Sequence, residues 1–170
     1  MLPDADFSIE EWGVDHPRYE HFLECVNTAA PEQGQFLRGS YFQSFPCYLL
    51  VALQEHQVAG FLQFAVMPIG PEANCPPLQF DGRALVEAKI HAFGVAPVFR
   101  NRGIGTALQK QAIQRARQLG CYQLASQSSY DKAANYHLKL ALGFSVQPVH
   151  DEWEDSVFFL MPLKSIPAEE

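Results

Sequence analysis

The sequence predicts one α/β (α+β) domain, a sandwich in which a mixed sheet of about seven strands carries helices on both faces. Three observations support this class. The chain has 170 residues, 48% of them hydrophobic, which suits one compact core. Short apolar runs typical of strands alternate along the chain with patterns typical of helices. The last two helical patterns each stop at a glycine, Gly120 and Gly143, where a helix C-terminus favours that residue.

Composition excludes several classes of protein. A formal net charge of -7 argues against nucleic acid as the main partner. The opening Met1-Leu2-Pro3-Asp4 lacks a basic leader and no apolar stretch approaches bilayer length, so we expect a cytoplasmic protein without a membrane partner. Its four cysteines form no Cys-x-x-Cys pair, so we expect no metal. A homodimer is a further expectation.

In the first part of the chain, Phe7 to Val14 can form a strand. Asp15, ahead of Pro17, is then expected to cap a helix that Pro31 ends. Residues Glu32 to Ser44 follow as an irregular or weakly helical stretch without a firm assignment.

A hairpin is predicted next, with strands Cys47 to Leu53 and Val58 to Met67 joined by the polar residues Gln54 to Gln57. The proline-rich segment Pro68 to Gly82 should lie outside the sheet, because proline lacks the N–H that a sheet ladder needs.

The strand predicted from Leu85 to Val95 has two different faces. One face is small or apolar and can pack against a helix: Val86, Ala88, Ile90, Ala92 and Gly94. The other carries Glu87, Lys89 and His91 at steps of about 7 Å, three ionisable groups on an expected central strand. For Glu87, a catalytic role and a solvated face with a Glu-Lys pair are both open.

The C-terminal elements follow the same logic. A helix from about Ile104 to Leu119 precedes a strand from Cys121 to Ser126. Side-chain caps are expected for the next helix: Ser128, Ser129 and Asp131. The remaining predicted elements are a helix from Lys132 to about Leu142 and strands Phe144 to Val149 and Ser156 to Pro162, which flank the turn His150 to Asp155.

The segment between the central strand and the Ile104 helix reads Val-Ala-Pro-Val-Phe-Arg-Asn-Arg-Gly-Ile-Gly-Thr-Ala-Leu. Two glycines allow an anion to approach the backbone, and Arg100 and Arg102 add charge to the positive end of a helix dipole. These features predict a pyrophosphate site. A Walker A loop is excluded because Thr106 and Ala107 replace its Lys-Ser or Lys-Thr pair, and a dinucleotide fingerprint fits poorly because Leu108 replaces its third glycine.

This segment resembles motif A of the GNAT superfamily of acyl-CoA-dependent N-acetyltransferases. The matching positions are Val95, Pro97, Phe99, Arg100, Gly103, Gly105 and Leu108. The order of predicted elements is also similar to the family's over nearly the whole chain. The resemblance implies acetyl-CoA as co-substrate, held by Phe93, Val95, Arg100, Arg102, Gly103, Ile104, Gly105, Thr106 and Asn135. A backbone N–H near Phe93 to Val95 would stabilise the oxyanion.

The resemblance also implies catalytic residues. His91 stands where members often carry a glutamate or histidine that acts as general base, directly or through water. Lys89 stands where some members keep a glutamate, and a lysine there cannot be the same base. In many members a tyrosine four residues before a Gly-Phe pair protonates the thiolate, but here Lys139 precedes Gly143-Phe144. Tyr136 or His137 could take that role by counting from the helix start, and packing under the sheet is the open alternative for Tyr136.

The implied function is acetyl transfer from acetyl-CoA to a primary amine by direct attack in a ternary complex. The acceptor would be a small molecule or a peptide amine. Trp153 and Asp151, in the acidic turn between the last two strands, are candidate acceptor ligands, although hairpin turns are often acidic for solubility alone. A module that binds acyl-CoA without turnover is the rival function, and a phosphate-binding nucleotide enzyme is a third.

Overall fold

The computed structural model describes residues 6–39, 41–130, 132–150 and 155–163. Within them, seven strands form a mixed sheet in the order β1-β2-β3-β6-β7-β9-β8, and β4 and β5 form a separate ribbon. The strands are β1 Ser8–Trp12, β2 Cys47–Gln54, β3 Gln57–Pro68, β4 Gln79–Phe80, β5 Arg83–Ala84, β6 Val86–Val95, β7 Gln123–Ser129, β8 Ser145–His150 and β9 Asp155–Pro162. The helices are α1 Tyr19–Ala29, α2 Pro31–Leu37, α3 Ile104–Gln118 and α4 Ala133–Ala141. This architecture confirms the predicted fold class.

The chain divides into two compact units, Met1–Ala65 with Ile90–Ala112 and Val66–Lys89 with Ile113–Glu170. We call them the first and second unit. The core of the first unit joins α1 and α2 to one face of the strands. Its buried members are Trp12, Tyr19, Phe22, Leu23, Val26, Leu37, Leu49, Val51, Phe61 and Ala92.

The other face of β3 approaches α3. A Cβ on Gly60 would lie 3.3 Å from side-chain atoms of Ile104 and Leu108 and 2.9 Å from the carbonyl oxygen of Gly94. Side chains alternate between the faces of a strand, so Phe61 points towards α1 while position 60 faces α3. Helices therefore cover both faces of this unit's strands, as predicted.

The hairpin between β2 and β3 is confirmed, but its turn is tighter than predicted. Gln54 pairs with Gln57, which leaves only Glu55 and His56 in the turn. Both have positive φ, 49° and 66°, the conformation of a two-residue turn that matches the twist of the strands. A bulge between Ala52 and Leu53 absorbs the change of register.

Two local predictions about the N-terminal helices are wrong. Asp15 does not cap α1, because the N-cap is Arg18, which makes no side-chain cap. Asp15 instead lies in a turn, where the His16 N–H donates to the carbonyl of Gly13 and the His16 ring stacks on Trp12 at 3.9 Å. The stretch after Pro31 is also more regular than predicted, since it forms α2 and a 3-10 turn, Tyr41–Ser44.

In the second unit, β9 pairs antiparallel with both β7 and β8. The segment after β3 lies outside the main sheet as predicted, except that Pro68 is the last residue of β3. Ser128 and Ser129 are not caps of α4, because both belong to β7 and the N-cap is Lys132 without a side-chain cap. Asp131 lies outside the described residues. Gly143, with φ 93°, follows the end of α4 as predicted.

Candidate active site

Glu87 and Lys89 on β6 are buried, so the alternative of a solvated face is wrong. Only 7% of Glu87 and 5% of Lys89 are exposed. The Nε2 of Gln123 donates to the Glu87 carboxylate at 2.6 Å, and Lys89 Nζ lies 3.3 Å from the carboxylate of Glu72. Burial raises the pKa of Glu87, while the hydrogen bond from Gln123 acts in the opposite direction. Each charge therefore has a partner inside the second unit.

His91 is half-buried in the first unit, and its position is set by two contacts. Its Nε2–H donates to Gln63 Oε1 at 2.7 Å, and its ring stacks on Phe42 with centroids 4.6 Å apart. An amide oxygen can only accept, so the hydrogen bond requires the proton on Nε2. In the neutral ring the basic lone pair is then on Nδ1.

Gln63 is a site residue that the sequence reasoning missed. It is 4% exposed, and its Oε1 also accepts from Gln43 Nε2 at 3.2 Å. A signal was present, because Gln63 is the one polar residue between Phe61 and Met67 in an apolar strand. Buried polar groups need partners, and the local sequence does not reveal that the partner is 28 residues away.

The predicted phosphate loop has the backbone of an anion site. Asn101 and Gly103 have positive φ, 60° and 82°, and they turn the chain into α3 at Ile104. The first helical bond runs from the N–H of Ala107 to the carbonyl of Gly103. The N–H groups of the turn before it, from Ile104 to Thr106, have no acceptor within the helix and point along its axis.

The surroundings of this loop fit a diphosphate. A Cβ on Gly103 would meet nothing within 4 Å, so space is open above the loop. Arg100 and Arg102 are exposed. Arg100 Nε donates to the carbonyl of Val95 at 3.0 Å, and the Arg102 guanidinium lies 5.7 Å from the centre of the Phe99 ring. These contacts hold both guanidinium groups beside the loop, and both residues remain exposed.

The expected oxyanion donor has a partner from α2. The backbone N–H of Phe93 donates to Gln33 Oε1 at 3.2 Å. The amide oxygen of Gln33 is an acceptor of the same kind as the thioester carbonyl oxygen that the Phe93 N–H is expected to bind. Gln33 is a second residue that the sequence reasoning missed, since α2 had no firm assignment.

The α4 helix carries the other candidates in the second unit. Asn135 Nδ2 donates to Ser128 Oγ, and its Oδ1 is buried without a hydrogen-bond partner. The Tyr136 hydroxyl donates to the carbonyl of Ser129 at 2.5 Å, and its ring lies 5.6 Å from Phe159. The ring of Tyr136 is therefore packed, as the non-catalytic alternative predicts, and its hydroxyl makes a hydrogen bond. His137 is exposed.

Lys139 is the least expected residue of this unit. It is 1% exposed, its Nζ donates to Ser126 Oγ at 2.5 Å, and the rings of Phe144 and Phe159 lie 5.5 and 5.4 Å away. Burial lowers its pKa from 10.5 to about 7. Lys139 therefore loses its proton at a far lower pH than an exposed lysine does.

The two units divide the predicted site residues between them. The first unit holds His91 and the coenzyme-binding candidates Phe93, Val95, Arg100, Arg102, Gly103, Ile104, Gly105 and Thr106. The second unit holds Glu87, Asn135 and Tyr136. Trp153 and Asp151 lie outside the described residues. Every helix in the described ranges falls short of the length and apolar character needed to cross a bilayer.

Comparisons with known proteins agree with this geometry. The model of the family described as Acetyltransferase (GNAT) family matches residues 9–144. Aminoglycoside N(6')-acetyltransferase type 1 of Klebsiella aerogenes is 28% identical over 115 residues, which are 67% of this chain and 68% of that protein.

Two solved structures share the fold. NAA60 of Arabidopsis thaliana in complex with acetyl-CoA has a TM-score of 0.69 at 14% sequence identity. The alignment covers 92% of this chain and 99% of the NAA60 chain. The yncA protein of Salmonella typhimurium with acetyl-CoA has a TM-score of 0.60 at 21% sequence identity. The alignment covers 96% of this chain and 98% of the yncA chain.

The family match extends from β1 to the end of α4 and includes the whole phosphate loop. It confirms the enzyme class and the co-substrate expected from the sequence. The protein is an acyl-CoA-dependent N-acyltransferase that uses acetyl-CoA to acetylate an amine. This chain belongs to the acetyltransferase (GNAT) family.

Proposed function

We propose that the protein acetylates a primary amine by direct attack in a ternary complex, with His91 as the general base. The observation that carries this assignment is the hydrogen bond from His91 Nε2–H to Gln63. It leaves Nδ1 as the basic atom of an imidazole whose orientation is fixed on both sides, by Gln63 and by the ring of Phe42.

The chemistry needs such a base. An alkylamine with a pKa near 10 is only about one part in a thousand neutral at pH 7, and only the neutral amine attacks a thioester. The amine nitrogen forms a bond to the thioester carbonyl carbon, its surplus proton passes to His91, and the carbon–sulfur bond breaks. The thiolate then takes up one proton, so the net result is an amide and free coenzyme A.

The loop from Arg100 to Thr106 is proposed to hold the diphosphate of the coenzyme. Positive φ at Gly103, open space above it and two exposed arginines support this role. Asn135, whose buried Oδ1 has no partner, is proposed as a further coenzyme contact. Tyr136 is proposed as the acid that protonates the thiolate, and Glu87 as an alternative base.

A thiol-release assay with acetyl-CoA and a panel of amines tests the function. His91→Ala should lower turnover mainly below pH 8, where the protonated amine depends most on a base. His21→Ala, a change of an exposed histidine on α1, is the matched control. An unchanged pH-rate profile in His91→Ala would reject His91 as the base. Binding of acetyl-CoA without thiol release from any amine would favour the non-catalytic module instead.

The acceptor class, the location and the oligomeric state are proposed only in coarse terms. A small-molecule or peptide amine is the acceptor, and aminoglycosides belong in the panel because a relative's name includes them. A cytoplasmic location and a homodimer stay predictions, which cell fractionation and sedimentation equilibrium check.

A further inference from the structure

A cavity of about 230 Å³ lies in the first unit, between β1, the first two helices and the β2–β3 hairpin. Most of its wall is apolar or aromatic: Trp12, Val14, Tyr19, Leu37, Phe45 and Leu49. Val14 is 80% exposed, so the wall of this partly open cavity reaches the protein surface there. A ligand can therefore enter without a change in the core.

The polar part of the wall is neutral. It consists of Gln43, Cys47 and Gln63, and none of the described residues that line the cavity is an aspartate, glutamate, lysine or arginine. Burial raises the pKa of the Cys47 thiol and of the Tyr19 phenol, so both stay uncharged at pH 7. A polycation would find no carboxylate among these lining residues. Two carboxylates next to them are already paired, Glu10 with the Trp12 indole N–H at 2.7 Å and Glu20 with Arg38.

The cavity is connected to the proposed base by one side chain. Gln63 lines the cavity and accepts the Nε2–H of His91 at 2.7 Å. Gln43, which also lines it, donates to the same oxygen at 3.2 Å. A group seated in the cavity therefore lies next to the amide that orients the imidazole.

We propose that this cavity binds the side group of the amine acceptor, and that this group is apolar, uncharged and about the size of one aromatic ring with a short stem. The inference rests on the proposed function. Size supports it, because a cavity of roughly 150 Å³ holds one benzene and this one is about half as large again. A neutral wall also favours the neutral form of an adjacent amine, which is the reactive form.

Two sources share this chemistry, an arylalkylamine and a peptide whose first residue is aromatic. The experiment measures kcat/KM by thiol release with acetyl-CoA for ethylamine, butylamine, 2-phenylethylamine and 4-phenylphenethylamine. Phe-Gly-Gly and Gly-Gly-Gly amides form the peptide arm, and kanamycin and spermidine form the polycation arm. We expect 2-phenylethylamine to exceed ethylamine by about 10-fold to 100-fold, the gain from burying one such side group. The biphenyl amine should gain little over 2-phenylethylamine, because the cavity has room for about one ring and the second ring would stay in solvent.

Cys47→Phe fills the cavity, and Cys25→Phe places the same ring on an exposed cysteine of α1. The ratio of kcat/KM for 2-phenylethylamine to that for ethylamine should fall towards 1 in Cys47→Phe and keep its wild-type value in Cys25→Phe. The size series in the wild-type enzyme keeps the test valid if Cys47→Phe fails to fold.

A higher rate for Phe-Gly-Gly than for 2-phenylethylamine would support the cavity and identify a peptide as the source. A flat size series, or faster turnover of kanamycin or spermidine, would overturn the inference and leave the acetyltransferase intact. Absence of thiol release from every amine would overturn the inference and the proposed function together.

Discussion

Replacing Lys139 by methionine should stabilise the protein by an amount that depends on pH. Methionine keeps the unbranched shape of the side chain up to the position of Cε and removes the charge that the apolar surroundings do not solvate. The pKa of Lys139 is lowered from 10.5 to about 7, and such a shift is equivalent to about 5 kcal/mol. Burying the protonated amine therefore destabilises the folded state by about this amount.

The sign of the pH dependence follows from proton linkage. Below pH 7 the folded and unfolded chains both hold the proton, so the folded state bears the full penalty. Between pH 7 and 10.5 the unfolded chain binds a proton that the folded chain does not, so wild-type stability rises with pH. The unfolding free energy of Lys139→Met should therefore exceed that of the wild type by about 5 kcal/mol at pH 6, about 3 at pH 8 and about 1 at pH 10. A pH-independent difference in packing adds the same amount to all three values.

Urea unfolding of both proteins at pH 6, 8 and 10 measures this difference. Loss of the hydrogen bond to Ser126 shifts all three values equally, so the slope against pH isolates the charge. Lys110→Met, a change of an exposed lysine on α3, is the control and should show no slope. A difference between wild type and Lys139→Met that is constant from pH 6 to 10 would refute the burial argument.

Three further predictions concern the coenzyme loop, the close packing of β3 and the proposed acid. Arg100→Ala combined with Gly103→Asp should abolish coenzyme A binding in calorimetry, and wild-type affinity would refute the loop assignment. Gly60→Ala should cost roughly 1–3 kcal/mol of unfolding free energy, because the new Cβ would lie 2.9 Å from the carbonyl of Gly94; an unchanged urea midpoint would contradict it. Tyr136→Phe should lower kcat at least about 100-fold at an unchanged KM for acetyl-CoA if the tyrosine is the acid, whereas a loss of stability alone would assign it to packing.

Local signals in the sequence were sufficient for the elements that frame the predicted phosphate loop. The helix predicted from Ile104 to about Leu119 is α3, Ile104–Gln118, because its apolar spacing and terminal glycine are both short-range features. The strand before it agrees within one residue. Glycine at 103 was also informative, since its φ of 82° is unfavourable for other residues.

Long-range contacts account for what the sequence did not reveal. Gln63 stands out locally as a polar residue in an apolar strand, but its partner His91 becomes known only when β3 and β6 are known to be neighbours. The depth at which Lys139 is buried depends in part on Phe159, which lies on β9. The missed turn at Asp15 has a local origin instead, because the stacking of His16 on Trp12, four residues earlier in the chain, competes with the capping signal.

The polar residues of β6 can now be separated by their surroundings. Burying a polar group is unfavourable unless it is paired, and Glu87 and Lys89 are both buried and paired inside the second unit. Their contacts give them a structural role that requires no substrate. His91 differs, because it is only half-buried and its partner Gln63 forms part of the wall of a cavity that opens to solvent. A base must reach its substrate as well as bind a proton, and this combination of access and fixed orientation favours His91 over Glu87.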